Sequence, residues 1–195
     1  MNPNRFIFTL ILLPLCACTL AKVDVTVVSE RTSLENQVLG TYNTISDDLL
    51  LVASVRGISP SGRITPAPQR TPEQEMAVRA LETVSFHADD VEAFKRLGWI
   101  GEGRDGLLAP FPRTLPKSGS QDLAFAESFS EGEFRQVLEE VNSAREVLML
   151  RVIQTNENFT ARDLPEIRRV FAKINQQSSP PGSKIQKDDD TWGTL

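Results

Sequence analysis

The chain has 195 residues, with 21 lysines and arginines against 26 aspartates and glutamates and a formal net charge of −5. An acidic chain without a basic cluster lacks the electrostatic footprint of nucleic-acid binding, and charge alone would not hold it on an anionic bilayer. Its length suits one ordinary domain or two small ones.

Met1 to Ala17 carries a single basic residue, Arg5, and then an apolar run from Phe6 to Leu15. The run is too short to span a bilayer, and with no acidic residue it reads as an export signal. It ends in Leu15-Cys16-Ala17-Cys18-Thr19. A bacterial lipoprotein signal places Leu three residues before the modified Cys and a small residue directly before it. Cys18 meets both requirements through Leu15 and Ala17, whereas Cys16 follows the bulky Leu15 directly. Lipid attachment is therefore expected at Cys18, where several acyl chains make a stable anchor; the plain alternative is ordinary signal cleavage beside two incidental cysteines. Cys16 would leave with the signal, so no thiol remains for a disulfide, a metal or a nucleophile. Thr19 after Cys18, where Asp would favour retention in the inner membrane, places the anchor in the periplasmic face of the outer membrane, or in the cell membrane of a host with only one. No later stretch approaches a spanning length.

Lys22 to Val28 alternates Val23, Val25 and Val27 with Asp24 and Thr26, a period of two that predicts a short strand. Thr32-x-x-Glu35 is a capping box. Leu34, Val38, Thr41 or Tyr42, Ile45, Leu49 and Val52 follow as one helical stripe, closed by Gly57 and Pro60. A linker with Pro60, Pro66 and Pro68 comes next. Thr71 as N-cap, Pro72 at the first helical position and Gln74 open a second helix. Its apolar residues are Met76, Ala80, Leu81 and Val84. A break and restart is expected near Phe86 to Asp90, because Asp favours caps, and Val91, Phe94 and Leu97 continue the apolar face to Gly98. A second Pro-rich linker runs from Pro110 to Ser120. Ser130-x-x-Glu133 caps a long helix with Phe134, Val137, Leu138, Val141, Ala144, Leu148 and Val152 on one stripe. Thr160 to Gln177 is the last helix, with Leu164, Ile167, Val170, Phe171 and Ile174 inward. The two should pack antiparallel as an αα-hairpin, their stripes facing each other. Strand-turn-strand character surrounds Lys187 to Asp190, and there is no internal repeat.

The fold class is thus mainly α with minor β: amphipathic helices including the C-terminal hairpin, a short N-terminal strand and a C-terminal β-turn segment. The organisation is a signal over 1–17, an N-terminal helical region over 18–115 ending in a glycine-rich loop, and a helical hairpin with tail over 116–195.

Gly101, Gly103 and Gly106 have the spacing G-x-G-x-x-G. A dinucleotide fingerprint needs a strand before it and a helix opening within it. Here a helix precedes the glycines, and Pro110 and Pro112 follow too soon for another. The match is read as accidental, with no nucleotide and no cofactor expected. The plain alternative is a helix cap and tight turn.

The run Gly101-Glu102 with Gly106-Leu107-Leu108 resembles a G-E-x-x-x-G-[YL]-L stretch of the YdbL-type family of small exported bacterial proteins. Asn142 and Arg145, three apart on a helix, are similar to a second family feature. Pro180-Pro181-Gly182, Ile185-Gln186 and Trp192 resemble the family's ending. The resemblance covers roughly Asp89 to Trp192. Leu107 stands where Tyr is common, Lys184 where an aromatic is common and Asp190 where Gly is common, and the helix from Thr32 to Arg56 is an addition to the small form. Family relatives are encoded beside a small lipoprotein and a long bridge-forming protein implicated in lipid movement between membranes. The resemblance therefore implies an accessory or chaperone role in envelope lipid transport. Gly101, Glu102, Gly106, Leu107 and Leu108 then form either an interaction site or a scaffold loop, since Leu107 and Leu108 could equally cover the core.

Other chemistry is sparse. His87-x-Asp89-Asp90 offers ligand types, but Asp at a helix start serves as a cap, and no metal is expected. Asp188-Asp189-Asp190 lacks the alternating ligands, central Gly and terminal Glu of a calcium loop. No serine lies in a nucleophile elbow. Glu131, Glu133, Glu139 and Glu140 read as exposed helix charges, Trp192 as core, and Trp99 stays open. The leading expectation is a non-enzymatic envelope lipoprotein, joined to the membrane by its anchor and acting on an envelope protein partner. The rivals are a small apolar-ligand or lipid binder, which would show a cavity between long helices, and an envelope hydrolase, which would bring His87 and a serine or paired carboxylates into one pocket.

Overall fold

The computed structural model of the protein describes residues 33–54, 70–116 and 122–195, with side chains of the first segment described as far as Asp47. The signal, Cys18, the strand expected over Lys22 to Val28 and the Thr32 end of the first capping box lie outside these residues, as do Gly57, Pro60 and the side chains of Leu49 and Val52.

The protein is mainly α with a small sheet. The elements are α1 (Ser33–Ser54), α2 (Pro72–Phe86), α3 (Ala88–Arg96), β1 (Ile100–Glu102), β2 (Leu108–Pro110), α4 (Asp122–Ser128), α5 (Glu131–Thr155), α6 (Leu164–Gln177), β3 (Lys184–Gln186) and β4 (Trp192–Thr194). Arg31–Leu195 is one compact unit, and side chains from both sides of residue 115 share each of its cores.

Local chemistry explains the ends of the helices. Thr71 accepts the Gln74 N–H at 3.2 Å while Gln74 accepts the Thr71 N–H at 2.9 Å. Ser130 and Glu133 repeat this at the start of α5, and each such cap is worth about 1 kcal/mol. The chain breaks at His87 between α2 and α3, but not through an Asp cap: the Asp90 carboxylate bonds the His87 ring instead, and no side chain caps α3. Gly98, at φ +68°, closes α3. Its N–H donates to the Lys95 carbonyl and that of Trp99 to Phe94, both at 2.9 Å. This is the paired-bond C-terminal motif that glycine permits, and Trp99 stacks on Phe94 beneath it at 5.7 Å.

α5 is the spine. Its 25 residues span about 38 Å at 1.5 Å each, so one face passes over more than one neighbour. Phe134, Val137 and Val141 pack with Phe94, Trp99, Ile100 and Leu108. Leu148 and Ala144 meet Ala80 of α2. Only the last turns, through Met149 and Val152, join Ile167, Val170 and Phe171 of α6, together with Val38 of α1. The expected face-to-face pairing of whole stripes is corrected: Glu146 of α5 lies 3.0 Å from Arg168 of α6, but the N-terminal half of α5 covers a different core. α2 departs in a smaller way. Ala77 and Ala80 are buried and Met76 is exposed, because the small residues let α2 lie close along α5.

The sheet has strand order β2-β1-β3-β4. β1 and β2 are antiparallel, pairing Gly101 with Ala109 and Glu102 with Leu108. β3 lies parallel to β1, pairing Gly101 with Lys184 and Glu102 with Ile185. β4 returns antiparallel to β3, so the strand-turn-strand tail is present and its turn contains Asp190 at φ +67°. The β1–β2 hairpin and α4 carry no counterpart in the sequence reading.

Candidate functional site

The glycine-rich loop is the tip of a β-hairpin between β1 and β2, not a strand-to-helix turn. Gly103 N–H donates to the Leu107 carbonyl at 2.8 Å and Gly106 N–H to the Gly103 carbonyl at 3.1 Å. Of the three glycines only Gly106 has positive φ, +81°, which glycine adopts without a Cβ penalty. Gly101 is required by space instead: a Cβ there would lie 2.6 Å from the Trp192 ring and 2.9 Å from the backbone oxygen of Lys184.

Behind this hairpin sits a buried charge cluster. Glu102, with no exposed surface, accepts two bonds from Arg145, Nη1 to Oε2 at 2.7 Å and Nη2 to Oε1 at 3.1 Å. Lys95 Nζ reaches Glu102 Oε1 at 2.5 Å and donates to Ser179 Oγ at 2.9 Å. Arg145 also donates to the Gly106 carbonyl at 3.1 Å. α3, β1, α5 and the segment after α6 are thereby fastened at one point. Burial pushes the Glu102 carboxyl up, but the bonds and charge of Arg145, and then of Lys95, outweigh it and hold the group below the ordinary glutamate value.

The residues quoted for the loop are thus mostly interior. Leu108 is buried in the aromatic core, and half-buried Leu107 packs against the α1/α6 core. Asn142, one turn before Arg145, accepts the Leu108 N–H at 2.8 Å and donates to the Leu108 carbonyl at 2.9 Å. The tail joins the same assembly through β3. Gln186 accepts the Arg104 N–H at 3.2 Å, Ile185 is half-buried, and Pro181 and Gly182 lie on the surface. Trp192 is not core: it is 36% exposed, edge-on to Phe111 at 4.8 Å, because β4 is the outermost strand. Trp99 takes the interior place at 1% exposure, with its Nε1 donating to the Thr114 carbonyl and Arg113 4.2 Å above its ring.

His87 lines a pocket of about 330 Å3 with Ser128, Asp90, Glu133 and Glu140. Its Nδ1 lies 3.2 Å from Asp90 and its Nε2 2.9 Å from Glu140, while Ser128 Oγ donates to the Phe125 carbonyl at 2.7 Å. Both ring nitrogens are occupied by carboxylates, so neither is placed to take a proton from the serine. Gln136 and then His87 hold the Glu140 carboxyl below its ordinary value. Among the described residues no group of three or more His, Cys, Asp and Glu is placed to hold a metal ion, and no helix is long and apolar enough to cross a membrane. In the tail turn, Asp189 bonds Thr191 and Asp190 pairs with Arg104 at 2.8 Å.

Lys95 escaped the sequence reading. Its signal was available, since Lys95 stands four residues after Val91 and so on the apolar face of α3. No family model, curated protein or solved structure matches the chain.

Proposed function

We propose that the chain is a lipid-anchored envelope protein, held at Cys18, that acts through contacts with another envelope protein as an accessory or chaperone factor in lipid movement between membranes, without chemistry of its own. The observation that carries this reading is the Leu15-Cys16-Ala17-Cys18 signal, set before a compact unit that begins at Arg31. Ser33 lies only 15 positions after Cys18, a reach of at most about 54 Å even when fully extended. The resemblance to the YdbL-type family supports the choice of partner class. Its residues Glu102, Asn142 and Arg145 hold the hairpin against α5, and the partner would meet the surfaces this frame presents.

The test is crosslinking in intact envelopes followed by co-purification, for the wild type and for Cys18→Ser. A discrete envelope protein captured only by the acylated wild type is the expected result. Equal acyl labelling of wild type and Cys18→Ser would remove the anchor and the reading with it.

A further inference from the structure

A second pocket, of about 500 Å3, opens between α3, α5 and the segment after α6. Its lining mixes apolar side chains, Val84, Val91, Val141 and Pro180 among them, with polar ones that include Lys95 and Arg145. These two cations share one fully buried carboxylate, Glu102. Lys95 and Arg145, both nearly buried, thus share a single carboxylate between them, while Glu92 of the same lining and Asp122 share Arg96. Two cations that share one carboxylate still favour an anion beside them. Lys95 has two partners among the described residues, Ser179 Oγ and Glu102 Oε1, for the three protons of its ammonium. No third partner of the ammonium is present among the described residues. Glu92, the acidic group at the mouth, is committed to Arg96 at 2.8 Å.

We propose that this pocket binds a small amphiphile with a single anionic head, carboxylate or phosphate, on a short apolar body: the head is held by Lys95 beside Arg145, and the body lies along Val84, Val91 and Val141. A pocket of this size is in the range that encloses small molecules, and apolar walls with a few convergent polar groups are their usual setting. The assignment stands apart from the accessory role, since a ligand site here would serve a chaperone or a carrier alike.

The full acylated chain in lipid nanodiscs is titrated with octanoate, octyl phosphate and neutral octan-1-ol, following the methyl resonances of Val91 and Val141. Saturable shifts with an anionic probe are expected, and the better of octanoate and octyl phosphate identifies the head. Lys95→Met should weaken the anionic probe at least tenfold and leave octan-1-ol unchanged, whereas partition into the bilayer would not depend on Lys95. Ala88→Trp, on the exposed rim, should exclude all three probes from a chain that still melts normally, and it carries the test if Lys95→Met fails to fold. Absence of saturable shifts in the wild type, equal anion binding by folded Lys95→Met, or unchanged binding by folded Ala88→Trp would each overturn the assignment.

Discussion

Arg145 of α5, itself nearly buried, grips the fully buried Glu102 of β1 through two parallel hydrogen bonds across 43 positions of sequence. Breaking a buried pair by removing one partner leaves the other charge uncompensated and costs about 3–5 kcal/mol. Glu102→Gln and Arg145→Met should therefore each lower the midpoint of denaturant unfolding by a shift of that size, and the double variant should lose less than the sum. Independent, additive losses under about 1 kcal/mol would be the behaviour of a solvent-exposed pair and would contradict the interior placement.

The same carboxylate gives a pH dependence. Its folded pKa lies below the reference value of 4.5, so the folded state binds the proton less readily than the unfolded chain. The stability this contributes is fully present above the unfolded value and is lost as pH falls through the folded value. Wild-type stability should drop on the acid side of pH 4.5 more steeply than that of Glu102→Gln. Surface carboxylates with lowered values, such as Glu133 and Asp163, titrate in both proteins and cancel in the difference. Parallel acid limbs in the two unfolding profiles would show that Glu102 is not the group responsible.

The glycines separate by cause, and alanine scanning should sort them. Gly106 combines φ +81° with a Cβ position 3.1 Å from the Arg168 carbonyl oxygen and 3.3 Å from Met149 Sδ. Gly106→Ala should cost more than the roughly 1 kcal/mol of a conformational effect alone. Gly101→Ala should also destabilise, by displacing the Trp192 ring, and a change in Trp192 fluorescence should accompany it. Gly40 in α1 has nothing within 4 Å of its Cβ position, so Gly40→Ala should stabilise by about 0.5–1 kcal/mol. A stabilising Gly106→Ala would mean the hairpin tip is not packed on α6.

The helices and their caps were legible because the signals are local: Thr71 with Gln74 and Ser130 with Glu133 declare themselves within four residues. The break at His87 falls where expected but for another cause, since Asp90 bonds the His87 ring and no side chain caps α3. The hairpin was not legible. Ile100–Glu102 and Leu108–Pro110 are too short to show alternation; besides each other, their partners lie far away, β3 beside β1 and Asn142 beside β2. The quoted motif residues Glu102, Asn142 and Arg145 did mark the assembly, but as a pattern without a role, since helix spacing places Asn142 and Arg145 on one face without saying what they face. Trp192 was misplaced because the reading had no means of knowing that β4 would be an edge strand. α4 could have been read from Phe125, Ala126 and Phe129, at helical spacing after Asp122.

The last expectation concerns the seam between β2 and α5. The Asn142 amide makes both bonds to the Leu108 backbone, accepting at 2.8 Å and donating at 2.9 Å, and so stands in for a neighbouring strand on the outer side of β2. Asn142→Leu keeps the bulk but leaves a part-buried N–H and carbonyl without partners, each worth about 1–3 kcal/mol when unsatisfied. Asn142→Asp keeps the acceptor for the Leu108 N–H but turns a carboxylate oxygen toward the Leu108 carbonyl, so it should fall between the wild type and Asn142→Leu. Leu108→Asp attacks the same seam from the other side by placing a charge in the aromatic core, where Leu108 lies against Phe134 and Val137, and its thermal melt should collapse. Amide exchange at Leu108 reads the seam directly: protection should be lost in Asn142→Leu before the global melt of that variant is reached. A normal melt for Leu108→Asp with loss of the crosslinked envelope partner would reverse the assignment, making Leu108 a contact residue and the hairpin an interaction surface.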